Sequence, residues 1–142
     1  MNNQLKTSRS HSTADVKVRG DVAGQLVNSI IAFYNDGGGT VAFDTGAASN
    51  FAVSTTHTLS GITTGQADAM LVGMYAGDHA GSYDNGGYTA PLVEVADDNP
   101  GDITIAIAIG TQAGAGASGD KSATASLSDD GGGVLVSVYA SE

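Results

Sequence analysis

The sequence has no cysteine and no tryptophan. Without cysteine there is no disulfide staple and no thiolate-ligated metal centre. Charge is scarce: Asp, Glu, Lys and Arg make up 14% of the 142 residues, against about a quarter in ordinary soluble domains. Positive charge is scarcest, with five basic residues against fifteen acids and a net charge of −10. Long apolar runs are missing as well. Leu26 to Tyr34 is interrupted by Asn28 and Ser29 and is too short to span a bilayer. Residues 1–20 lack the apolar stretch of a secretory leader, so a soluble chain made without an export signal is expected.

Gly, Ala, Ser and Thr fill the space that charge leaves. This mix is poor in strong helix formers and rich in turn formers, which predicts short strands and many turns. The length suits one domain, and 41% hydrophobic residues supply a core.

The charge is divided along the chain. Residues 1–19 carry Lys6, Arg9, Lys17 and Arg19 against Asp15, a balance of +3. Residues 20–142 carry Lys121 alone against fourteen acids, a balance of −13. Such a body repels nucleic acid and anionic membranes. Residues 1–20 therefore read as an extended basic arm, and 21–142 as one acidic domain. The arm suits an acidic neighbour, including another copy of the chain; its bland reading is a solvated tail.

Residues 21–34 fit two patterns. Ala23, Leu26, Val27, Ile30, Ile31 and Tyr34 make a helical stripe, yet the residue types also suit a strand. Asn35 to Gly39 is a turn. Strands are expected at Thr40–Phe43, Phe51–Leu59, Ala69–Tyr75, Tyr88–Val95, Asp102–Ile109, Ser122–Leu127 and Val134–Tyr139. Asp44–Asn50 reads as a small-residue link and Asp129–Gly133 as a turn. Ala69–Tyr75 is near-continuously apolar, the mark of a central strand. Pro91 marks an edge or bulged strand. Ile103, Ile105, Ile107 and Ile109 alternate with Thr104, Ala106 and Ala108, so the Ile face is expected to hold the core. Turns about every ten residues predict an all-β fold, an antiparallel β-sandwich of jelly-roll type.

Residues VAFDTGAAS (41–49), THTLSGITTGQADAMLVGMY (56–75), APLVEVA (90–96), DITIAIAIG (102–110) and GVLVSVY (133–139) carry a resemblance. In this order of strands and turns the chain resembles β-sandwich domains of bacteriophage virion proteins and bacterial surface proteins. The resemblance implies a structural role at a particle surface, with virion proteins and further copies of the chain as partners. It carries over no functional residue. One departure is that such domains continue with further strands, which residues 21–34 or a neighbouring chain would have to supply.

Gly114 to Gly119 matches G-x-G-x-x-G, but a dinucleotide site needs a helix next, and KSATASLS prefers a strand. His11, His57 and His79 have no zinc-type spacing and read as packed or solvated side chains. Asp97, Asp98 and Asp102 are the weak candidates for Ca²⁺, which takes six to eight oxygens; Asp and Asn are also simply good turn residues. Tyr83 and Tyr88 flank Asn85-Gly86-Gly87 and are the candidate sugar contacts, against a bland reading as aromatics folded onto the sheet. No acid, base and nucleophile stand out together, so no enzyme and no obligatory cofactor are expected. The leading expectation is a capsid-decoration or cement protein or small fibre, a homo-oligomer such as a trimer assembled through its N-terminal arm, at the virion surface and extracellular after lysis. The alternative is a carbohydrate-binding module on a fibre tip or adhesin.

Overall fold

From Thr40 onward, small residues alternate with Val, Ile, Met and aromatics, and the chain follows that alternation as strand. A computed structural model describes residues 5–8, 32–35, 39–78, 80–99 and 101–141. It contains strands β1 (Leu5–Ser8), β2 (Ala32–Asn35), β3 (Thr40–Leu59), β4 (Thr63–Thr64), β5 (Ala69–Gly77), β6 (Val93–Asp98), β7 (Thr104–Gln112), β8 (Gly116–Ala117) and β9 (Lys121–Ser141). Every pairing between them is antiparallel, and no helix occurs among the described residues. The all-β antiparallel class is as the sequence predicts.

One five-stranded sheet runs β3-β9-β5-β7-β6. β5 is central, as its apolar run implies. β3 and β9 are long enough to leave this sheet and fold over it. Thr40–Phe51 pairs with Gly131–Ser141 in the sheet, and Thr56–Leu59 pairs with Lys121–Thr124 beyond it. The register breaks twice between, around Ser54, and bulges of this kind bend a strand. The folded-over portion is widened by a bridge between Tyr83 and Ala125 and by backbone bonds from Asp84 to Thr124 and from Thr89 to Ser122. The core lies between this layer and the sheet. Leu59, Tyr83, Ala123 and Ala125 pack there against Leu71, Tyr75, Ala106, Ala108 and Leu135.

Three expectations are corrected. Asp129–Gly133 is not a turn but the middle of β9. Its glycines mark close approach: a Cβ on Gly133 would meet the Met74 carbonyl oxygen, Leu59 Cδ2 at 2.7 Å and Phe51 Cζ at 2.9 Å. Asp44–Asn50 is not a link but part of β3. Its small residues suit the ladder, since a Cβ on Gly46 would lie 2.8 Å from Val136 Cγ1. The Ile face does not line the interlayer core. Thr104, Ala106 and Ala108 face inward and are fully buried, because the small side of β7 lets the aromatics of the other layer come close.

β6 begins at Val93, after the cis Ala90–Pro91 peptide, and is an edge strand with a bulge between Glu94 and Ala96. Of the ambiguous stretch 21–34, Ala32–Tyr34 is strand, and the rest lies outside the described residues. Leu5–Ser8 in the basic arm pairs with Ala32–Asn35 as a separate two-stranded ladder.

Candidate functional site

The sequence-based candidates do not converge on one place. Lys6 sits on β1; Arg9, Lys17 and Arg19 lie outside the described residues, as do His11 and His79. Tyr83 is buried in the core and Tyr88 is half-buried. The Tyr88 hydroxyl donates to Glu94 Oε2 at 2.9 Å, and Asn85 Nδ2 donates to Glu94 Oε1 at 3.1 Å. Both carboxylate oxygens of Glu94 are thus engaged by its own loop. Asp97 accepts from the Tyr83 backbone N–H at 3.1 Å and from the Thr104 hydroxyl at 3.2 Å. Asp97 and Asp98 are successive strand residues and point to opposite faces. Among the described residues no group of three or more His, Asp or Glu side chains is placed to hold a metal ion.

The structure does assemble an interior polar cluster. His57, on the folded-over half of β3, is fully buried and stacks on Phe51 with ring centroids 4.6 Å apart. Its Nε2 lies 3.0 Å from the Asp129 carbonyl oxygen, and its Nδ1 lies 2.7 Å from the Tyr83 hydroxyl. A carbonyl only accepts, so Nε2 donates to it, and in the neutral ring this leaves Nδ1 to accept the Tyr83 proton. Tyr75 packs between Tyr83 and Tyr88 and donates to the Lys121 carbonyl oxygen at 3.1 Å.

Burial raises all three tyrosine pKa values well above the usual 10; the charge of Asp97 adds to this at Tyr83, and the Glu94 carboxylate at Tyr88. Lys121 is buried too, with Nζ donating to the carbonyls of Ser118 at 2.6 Å and Ala90 at 3.0 Å. Burial lowers its pKa, and nearby Asp120 pulls the other way. Each named polar group is bound to another part of the fold, so the cluster ties the layers together. Sequence reasoning missed Lys121. The available signal was its isolation, as the one cation after Arg19.

The outward surface of the five-stranded sheet is different in kind. Paired residues of antiparallel strands share a face. One row across the sheet reads Val136, Val72, Ile109 and Val93, and the next reads Val134, Met74 and Ile107. Phe43 and Met70 flank Val138 in a third row. The middle of this face is buried, with Val72 3% and Ile107 2% exposed. Both nevertheless stand outside the interlayer core cluster. Its rims are open, with Phe43 66% and Val93 61% exposed. This is the Val, Ile and Met side of the alternation, on the opposite side of the sheet from the interlayer core, and Phe43 and Val93 are its exposed large side chains.

The strongest acidity lies elsewhere. Asp78, Asp98, Asp102 and Asp130 are exposed at the end of the sheet where β5 stops and β7 starts. No family model matches the chain, and searches of curated proteins and of solved structures return no match.

Proposed function

We propose that the protein is a structural, non-enzymatic subunit that acts by associating through its five-stranded sheet. The observation that carries this reading is that Phe43 and Val93, large apolar side chains on one face of the sheet, are left exposed at its two rims. Exposed apolar side chains at such rims suit contact with another apolar surface. The interior adds support: His57, Tyr83, Tyr75 and Lys121 spend their polar groups on holding the layers together.

Within this reading, the specific role is a surface subunit of a bacteriophage particle, a decoration or cement protein or a small fibre. The resemblance in strand order, the acidic body and the basic arm support it. Residues Lys6, Arg9, Lys17 and Arg19 would reach an acidic neighbour in the lattice. The test is sedimentation of a phage lysate through a density gradient. The protein should band with intact particles and leave them at high salt, which screens the arm. Recovery solely as free protein overturns the particle role.

A further inference from the structure

The two edges of the five-stranded sheet are built differently. β6, at one edge, has six residues, a bulge, and three carboxylates at Glu94, Asp97 and Asp98. Short length, bulges and charge are the devices that keep a strand edge from pairing with another chain. β3, at the other edge, offers Thr40–Phe51, twelve residues and roughly 40 Å of strand at about 3.4 Å each. It holds no proline, no lysine and no arginine. Its one carboxylate, Asp44, is occupied within its own chain, accepting from the Ser137 hydroxyl at 2.9 Å and the Gly65 N–H at 2.9 Å. Among the described residues, β9 is the one strand that pairs with Thr40–Phe51, and none of them pairs with the far side of β3.

We infer that Thr40–Phe51 pairs antiparallel with the same segment of a second copy, joining two five-stranded sheets into one. This inference rests on the assembly reading above and names its contact. Charge selects the approach. Two chains of net charge −10 repel each other, and this edge brings backbone donors and acceptors together with one internally bound carboxylate per copy. Like edges are self-complementary when antiparallel, and the product has two-fold symmetry. Because β6 is guarded, the five-stranded sheet of each copy has one competent edge among the described residues. Assembly through it closes at two copies and does not grow into a filament.

The test is the mass of the full chain by sedimentation equilibrium over a range of concentrations, for wild type, Ala48→Lys and Ala48→Glu. Ala48 is an exposed position on this edge. Wild type should approach twice the chain mass of 14.0 kDa. Both variants should shift toward 14.0 kDa, with association weakened at least tenfold and far-UV circular dichroism unchanged. Loss with either sign of charge separates a blocked edge from a change in overall repulsion, and Val93→Lys, an exposed position of the same face at the guarded edge, should keep the wild-type mass; a loss there as well would assign the contact to the face and overturn the edge pairing. If both variants keep the wild-type mass, the edge is not the contact. If wild type grows without limit as concentration rises, closure at two copies is wrong. A wild type that stays at 14.0 kDa also overturns the pairing. None of these failures decides the particle role, which the lysate gradient reads independently.

Discussion

The hydroxyl of Tyr83 lies 2.7 Å from Nδ1 of His57, and both side chains are buried. The two residues come from different parts of the chain: His57 from β3, and Tyr83 from the connection between β5 and β6. With the Nε2 bond to the Asp129 carbonyl, the imidazole joins three segments at the place where β3 and β9 bend. Tyr83→Phe removes the hydroxyl and keeps the ring. It should lower stability by about 1–3 kcal/mol, the usual cost of losing a buried hydrogen-bond partner. Urea unfolding followed by circular dichroism would read it, with the midpoint falling and the slope unchanged. An unchanged midpoint would mean that the bond contributes nothing net.

The raised pKa values of Tyr75, Tyr83 and Tyr88 make a prediction for alkaline pH. A group whose folded pKa is raised stabilises fully below its unfolded value, here 10.0, and loses that contribution as pH climbs toward the folded value. Unfolding should therefore become easier above about pH 10. The phenolate absorbance that Tyr75, Tyr83 and Tyr88 contribute should appear together with loss of the strand signal in circular dichroism. Lys121, whose pKa is lowered, acts in the opposite direction up to the ordinary lysine value, but it is one group against three. Ionisation of these three tyrosines ahead of unfolding, read by difference from their Phe variants, would contradict the buried cluster.

Gly133→Ala and Gly114→Ala make a matched pair. At Gly133 an added Cβ meets the Met74 carbonyl oxygen, Leu59 and Phe51; at Gly114 it meets nothing within 4 Å. The first should destabilise by about 1–3 kcal/mol through overpacking, and the second should stay within about 0.5 kcal/mol of wild type. Thermal unfolding of the two variants side by side distinguishes them. Equal midpoints would restore the reading of Asp129–Gly133 as an ordinary turn.

This pair also shows how far the sequence could be read. Class, the central place of Ala69–Tyr75 and the edge position near Pro91 were all legible, since each follows from local composition. The lengths of β3 and β9 were not. A glycine run looks the same whether it turns the chain or lets one strand pass close over another; the difference lies in Ala76, Met74 and Leu59, far away in sequence. The Ile face misled for a related reason. Alternation says which residues share a side of a strand, but the side that meets the aromatics was decided by the room that Ala106 and Ala108 leave. The Tyr83 burial was anticipated as the bland reading of that residue, while its bond to His57 joins positions 26 residues apart that no local pattern connects.

Removing residues 1–19 takes away β1 and four of the five basic residues. β1 pairs with β2 in a ladder separate from the five-stranded sheet. The shortened protein should keep its circular dichroism and unfolding midpoint. It should no longer band with particles in the lysate gradient. Loss of the fold would show that the arm belongs to the body, and retained banding would show that the arm is not the anchor.

Thr40 opens β3 and Ser141 ends β9, and the two are ladder partners. The first strand of the sheet therefore waits until β9 has been made. Until then, Thr40–Phe51, uncharged apart from Asp44, lacks its ladder partner. Contacts of such long sequence separation form slowly. A chain of this design is most open to wrong partners before β9 is in place. Repulsion between the acidic loops of neighbouring copies opposes such pairing while the ladder is open.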